Sequence, residues 1–218
     1  MQTPSLPYER ILVLSPHPED GELGCGGTVQ RALAQGVEVH WAVFTIAEQS
    51  THPPFAPDEQ MREMQRSTAI LGVKPENIRV FDWQVRTMKE HRQEILDEMI
   101  RIRKDIRPDL VFCHSRDDIH QDHQAICEEA QRAFKQSTIL GYELPWNLFS
   151  FKADHFIEIS SEHAQKKAEA LQNYQSRSYR PYLSREKVLA QLSLRGLQIE
   201  TDWAECFEVI RSISRLPR

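Results

Sequence analysis

Arg10-Ile11-Leu12-Val13-Leu14-Ser15-Pro16-His17-Pro18-Glu19-Asp20-Gly21-Glu22 sets an unbroken apolar run directly against an imidazole and three carboxylates. Residues 10–15 show no polar alternation, the mark of a strand covered on both faces. The arrangement recurs at Asp109-Leu110-Val111-Phe112-Cys113-His114, which leads into Asp117-Asp118-Ile119-His120-Gln121-Asp122-His123. Two such strands, each ending in a polar cluster, predict a parallel sheet. Ligands of open parallel sheets bind beyond the carboxyl ends of strands, so a long sequence separation does not keep the two clusters apart.

Working outward, Leu23-Gly24-Cys25-Gly26-Gly27-Thr28 reads as a tight turn into a short helix at 29–35, stopped by Gly36. Residues 37–44 form a second strand. A loop with three prolines covers 47–57, and Asp58 caps a helix at 59–71 that Gly72 ends. A short strand at 78–81 precedes a helix at 88–106, whose apolar positions are 95, 96, 99, 102 and 106 and whose end is marked by Pro108. After the strand at 109–114 come a helix at 121–134 and a strand at 139–143. An aromatic loop follows at 144–152, then an alternating edge strand at 155–159. A helix capped by Ser160 or Ser161 runs to 174. Residues 177–183 are a basic loop, 184–196 a last helix and 205–210 a last strand.

This alternation predicts an α/β fold: a mainly parallel sheet with helices on both faces and a C-terminal extension packed on it. With 218 residues and no linker or repeat, the chain reads as a single domain, 1–218, with 1–9 as a loose N-terminal arm. No apolar run approaches the roughly 20 residues of a membrane helix, and residues 1–10 carry no signal-peptide pattern. The cytoplasm is the expected location. A net charge of −5 argues against general nucleic-acid binding. The four cysteines form no C-x-x-C pair. Cys113 and Cys206 read as buried thiols of a reducing compartment, and Cys25 as a small packing residue.

A catalytic zinc site takes three His or carboxylate ligands and leaves one position open. His17, Asp20 and His123 can supply that set. Glu19, beside Asp20, can serve as the base that takes a proton from the attacking water. His120 can face the substrate from the other side and, as imidazolium, stabilise an oxyanion and protonate the leaving amine. Asp122 can accept a hydrogen bond from a histidine ring and fix its tautomer.

H-P-x-D-x-E-x-G-x-G-G-T after a first strand and D-x-H-x-D-H after a later one resemble the zinc-dependent N-deacetylases of the PIG-L or LmbE-like family. These are relatives of the GlcNAc-phosphatidylinositol and mycothiol-precursor deacetylases. The resemblance extends over about residues 9–211, including Tyr142-Glu143 and Ala204-Glu205-Cys206-Phe207. It implies a Rossmann-like fold and one Zn2+ per chain, with Fe2+ as the other candidate. His17, Asp20 and His123 match the metal ligands, Glu19 the base, and His120 and Asp122 a catalytic His–Asp pair. The implied substrate is a small N-acetylated amino sugar or glycoconjugate, with no nucleic acid and no membrane span; a homo-oligomer stays open. One departure stands out: the family writes His-Pro-Asp-Asp, and here the base position is Glu19, one methylene longer. Family members also often carry an arginine in the helix after the flexible loop, and Arg62 and Arg66 are the candidates here.

Two other functions compete. Two His and a carboxylate also serve non-haem iron oxygenases, but those use H-x-D on a β-barrel, whereas His17 and Asp20 are spaced H-x-x-D on an α/β pattern. A catalytically weak accessory protein is the other, motivated by Glu19. Gly24, Gly26 and Gly27 do not form the G-x-G-x-x-G of a dinucleotide loop. Glu22 reads as structural and His114 as second to the ligands or structural. His40, His52, His91, His155 and His163 default to surface or core roles. Trp146, Phe149 and Phe151 fit a sugar-packing wall or core equally. Arg86, Arg177 and Arg180 can hold a phosphate or carboxylate or simply be solvated.

Overall fold

The computed structural model describes residues 5–214. In chain order the elements are β1 (Arg10–Ser15), α1 (Asp20–Ala34), β2 (Glu38–Val43), α2 (Glu59–Ile70), β3 (Ile78–Val80), α3 (Arg92–Ile106), β4 (Leu110–His114), α4 (Gln121–Ala133), β5 (Thr138–Tyr142), β6 (His155–Glu158), α5 (Ser161–Leu171), α6 (Arg185–Leu197) and β7 (Ala204–Arg211). The strands form a seven-stranded sheet in the order β3-β2-β1-β4-β5-β7-β6. The first five strands pair in parallel, and β7 and β6 join antiparallel. The C-terminal segment thus completes the sheet as well as packing on it.

The apolar run of β1 divides between two cores because successive strand side chains point to opposite faces. Ile11 and Val13 join Trp41, Phe112, Val29, Met64 and Leu171 on the face of α1, α2 and α5. Leu12 and Leu14 join Phe44, Met99, Ile102, Ile126 and Phe134 on the face of α3 and α4. Removing such a fully buried leucine costs about 2–5 kcal/mol.

The expected turn at 23–28 is instead helix, because α1 starts at Asp20. The glycines serve close packing rather than a loop. A Cβ on Gly21 would lie 2.3 Å from the Trp41 ring, and one on Gly24 would lie 2.2 Å from Tyr142. The helix kinks at Cys25 (φ −144°, ψ 17°). Beyond the kink, the Gly27 and Thr28 N–H groups donate to the Glu205 carboxylate at 3.0 and 2.6 Å. Lys167 Nζ donates to Glu205 Oε1 and to the Leu23 carbonyl, each at 2.6 Å. The extension therefore fastens the helix that carries the first motif.

Other helix ends follow local rules. Ser160 caps α5 in a reciprocal pair with His163. Asp58 stands at the start of α2, but its carboxylate pairs with Arg62 at 2.7 Å and makes no cap bond. Of the expected loose arm, residues 1–4 lie outside the described residues. The rest is docked: Leu6 and Tyr8 pack against the core, and the Leu6 N–H donates to Gln35 Oε1 at 2.8 Å. No helix among the described residues is long and apolar enough to cross a membrane.

Candidate active site

The chain runs outward from β1 to β2 and β3, then returns to lay β4 on the other side of β1. The crevice beyond β1 and β4 is the switch point at which open α/β sheets bind ligands. Both motifs begin there. Glu19 sits between strand and helix with φ 76°, a left-handed conformation that costs a non-glycine residue about 1–2 kcal/mol. Its N–H donates to Tyr174 Oη at 2.8 Å, and that hydroxyl donates to Glu22 Oε1 at 2.7 Å. The turn is braced further by the Gly21 N–H, which donates to Ser15 Oγ at 3.0 Å.

Three donor atoms converge at the floor. His17 Nδ1 lies 3.1 Å from His123 Nε2 and 3.2 Å from Asp20 Oδ2, and His123 Nε2 lies 3.4 Å from Asp20 Oδ2. Ligands about 2.0–2.1 Å from a tetrahedral cation stand about 3.3 Å apart, so the trio fits one face of such a centre. Each ring's other nitrogen meets a carboxylate: His17 Nε2 is 2.9 Å from Asp122 Oδ2, and His123 Nδ1 is 2.9 Å from Asp118 Oδ2. In a neutral ring, that pattern directs a lone pair inward.

The electrostatics favour a positive charge between these atoms. Burial disfavours charge on both rings. At His17 the Asp122 and Asp20 carboxylates outweigh it and raise the ring to about 10. Burial, then His114, push His123 well below an ordinary imidazole. Burial raises Asp20, but His123 and His114 outweigh it and hold Asp20 well below the usual carboxylate range.

His120, Glu19 and Asp122 also gather here, and one expected pairing is different. The Asp122 carboxylate binds His17, not His120. It also accepts the Arg86 and Met88 N–H groups at 2.6 and 3.3 Å. His120 caps α4, its Nδ1 accepting the Asp122 backbone N–H at 3.2 Å. Burial, then His17, lower its pKa. An Nδ1 that accepts this N–H leaves Nε2 as the nitrogen that can donate toward a substrate.

Asp118, which drew no reading from sequence, completes the site with Arg177 and His114. Asp118 opens the D-x-H-x-D-H motif, and besides His123 it accepts the His120 N–H at 2.8 Å. Arg177, from the basic loop, places Nη2 2.9 Å from Glu19 Oε1. It also donates to Gln60 Oε1 at 2.9 Å and Tyr182 Oη at 3.1 Å. Burial, moderated by Arg177 and reinforced by Asp20, brings Glu19 to about 7. His114 is buried beside Asp20.

A cavity of about 480 Å³ opens above this floor, with walls that include His52, Arg86, Trp146, Tyr179, Arg180 and Tyr182. Trp146 stacks on Tyr182, centroids 3.8 Å apart. Phe149 is 93% exposed and Phe151 lies under Arg195, so neither joins Trp146 in the wall. Arg62 and Arg66 pair with Asp58 and Glu59 and do not line the cavity. A larger recess of about 980 Å³, around Tyr8, Arg107 and Ser137, has no histidine in its lining.

The profile of the GlcNAc-PI de-N-acetylase family, PIG-L, matches residues 12–134. The uncharacterized deacetylase YaiS of Escherichia coli is 28% identical over 170 residues, 76% of this chain and 90% of YaiS. The diacetylchitobiose deacetylase of Thermococcus kodakarensis is 27% identical over 109 residues, 48% of this chain and 40% of that protein. The crystal structure of the conserved protein TT1542 from Thermus thermophilus superposes with a TM-score of 0.78 at 25% identity, covering 95% of this chain and 97% of that one.

Proposed function

Since the chain belongs to the PIG-L family of de-N-acetylases, we propose that it is a zinc hydrolase that removes the N-acetyl group of a 2-acetamido sugar or its conjugate. The observation that carries this reading is the convergence of His17 Nδ1, Asp20 Oδ2 and His123 Nε2 at 3.1–3.4 Å on the cavity floor. These three side chains would hold the cation. When bound, zinc would polarise the acyl oxygen and lower the pKa of a coordinated water.

The remaining chemistry belongs to this chain's own groups. Glu19 takes the proton of the attacking water and returns it toward the leaving nitrogen. Its carboxylate, steadied at Oε1 by Arg177, is placed for that transfer. Glu19 Oε2 has no hydrogen-bond partner among the described residues and is the oxygen assigned to that transfer. His120 offers its Nε2–H to the developing oxyanion, a contribution commonly worth about 10²–10³ in rate. Asp122 and Asp118 orient the ligand rings. The Trp146–Tyr182 stack offers an aromatic face for a sugar ring.

The wall also speaks to the substrate. Arg86 and Arg180 line the cavity of a chain whose net charge is −5. They favour a sugar carrying a carboxylate or phosphate. Unbridged thiols at all four cysteines accord with a cytoplasmic enzyme.

The test is acetate release from a panel of N-acetyl sugars, acidic conjugates and short chitooligosaccharides, before and after chelation and zinc return. Turnover that chelation removes and zinc restores is the expected result. A zinc-loaded protein inert toward the whole panel would overturn the reading.

A further inference from the structure

We infer that His114 is a positioning residue that fixes the Asp20 carboxylate through an Nε2–H hydrogen bond and thereby sets the affinity of the cation site. The inference rests on the ligand assignment proposed above. His114 ends β4 and is 0% exposed. Its ring stacks on that of His123 at 3.6 Å and 25° and packs, tilted by 56°, against that of Tyr142 at 4.4 Å. Tyr142 is itself fixed, because its hydroxyl donates to the Leu14 carbonyl at 2.8 Å. Two aromatic neighbours therefore restrict the His114 ring.

Neither ring nitrogen of His114 has a hydrogen-bond partner among the described residues. An imidazole carries at least one N–H, and buried polar groups are almost always paired. Asp20 Oδ2 stands 3.7 Å from Nε2. A shift of less than about 1 Å brings the two within hydrogen-bond range. The same oxygen already accepts the His17 N–H at 2.9 Å. A second donor from β4 would tie the first motif's carboxylate to the strand that leads into the second motif. With a proton on Nε2 turned to Asp20, that nitrogen also cannot serve as a further metal ligand. The open coordination position then stays available to substrate.

Two measurements decide the matter. Long-range ¹H–¹⁵N NMR of the zinc-loaded wild type reports the His114 tautomer directly and needs no variant. An Nε2–H ring is expected; an Nδ1–H or metal-bound Nε2 signature would overturn the assignment. Competition titrations with Zn2+ and Co2+ then compare His114→Phe, which keeps a planar ring without a donor, with His114→Asn, which keeps an N–H. Loss of such a partner typically weakens metal binding about 10–100-fold, and that loss is expected for Phe, with most of it recovered in Asn. Wild-type affinity in His114→Phe would sink this proposal alone. Failure of the wild type to bind metal would sink the ligand assignment beneath it.

Discussion

Arg177 Nη2 lies 2.9 Å from Glu19 Oε1, joining a loop late in the chain to the residue at which the first motif departs from its family. The longer arm of glutamate is what this contact uses. Aspartate would withdraw the carboxylate by about 1.5 Å, and a misplacement of about 1 Å can cost about 10²-fold. Glu19→Asp is therefore expected to lower kcat even though it restores the family residue, while metal content stays at one per chain. Arg177→Lys keeps charge but loses the fork and is expected to fall between wild type and Arg177→Gln. Glu19→Gln is expected to keep metal and lose turnover. Steady-state kinetics beside metal analysis checks all four; full activity in Glu19→Gln would remove Glu19 from proton transfer.

Asp122 and Asp118 face the rings of His17 and His123, the two histidines proposed above as ligands, so their variants should share one signature. Asp122→Asn frees the His17 ring and Asp118→Asn the His123 ring. Each is expected to weaken metal binding about 10–100-fold. Replacing a ligand itself should do more: His123→Ala is expected to lose stoichiometric metal on dialysis. Asp122→Asn binding zinc as tightly as wild type, with only kcat changed, would return Asp122 to a pairing with His120.

The meeting of the two motifs was legible because β1 and β4 are apolar on both faces and so must be central, neighbouring strands. The direction of the Asp122 carboxylate was not. The residue pattern left its histidine open and the family resemblance paired it with His120, but at the start of α4 it is the Asp122 backbone N–H that reaches His120, while the carboxylate crosses to the other motif. Arg177 was one of several basic residues in a loop. Its partner is set by how that loop packs through Gln60 and Tyr182, which no local pattern encodes. The helix over residues 20–28 was hidden by its glycines, whose reason is the approach of Trp41 and Tyr142 from distant strands.

Arg86 and Arg180 allow the substrate preference to be tested apart from catalysis. Arg86 is in the left-handed region, φ 72°, and its N–H is held by Asp122. Its backbone is thus fixed to the site floor while its side chain remains exposed. Arg86→Gln and Arg180→Gln are expected to raise KM about 10-fold for acetamido sugars bearing a carboxylate or phosphate, an attraction of about 1.4 kcal/mol. Neutral acetamido sugars should change little, and added salt should narrow the difference. Equal losses on neutral and acidic substrates would mean that the arginines shape the cavity and do not select charge.

Glu208 supplies a pH-dependent clasp behind the site. It is 2% exposed on β7 and accepts Ser115 Oγ–H at 2.8 Å, the Arg116 N–H at 2.9 Å and Arg116 Nε–H at 2.6 Å. Burial raises its pKa, but the Arg116 backbone N–H, the Ser115 hydroxyl and the Arg116 guanidinium outweigh it and lower the carboxyl below its ordinary value. An unfolded glutamate has a pKa of about 4.3. Above that pH both states are ionised and the clasp contributes in full. As pH falls, the unfolded chain takes up the proton first, and the contribution is lost down through the lower folded value. Glu208→Gln is therefore expected to lower stability by about 2 kcal/mol at neutral pH, with a gap from wild type that shrinks below about pH 4.3. Urea unfolding across pH 7 to 3 measures it, the other carboxylates being common to both proteins. A gap that stays constant over that range would mean that Glu208 acts by packing alone, and one that widens in acid would reverse the sign of its shift.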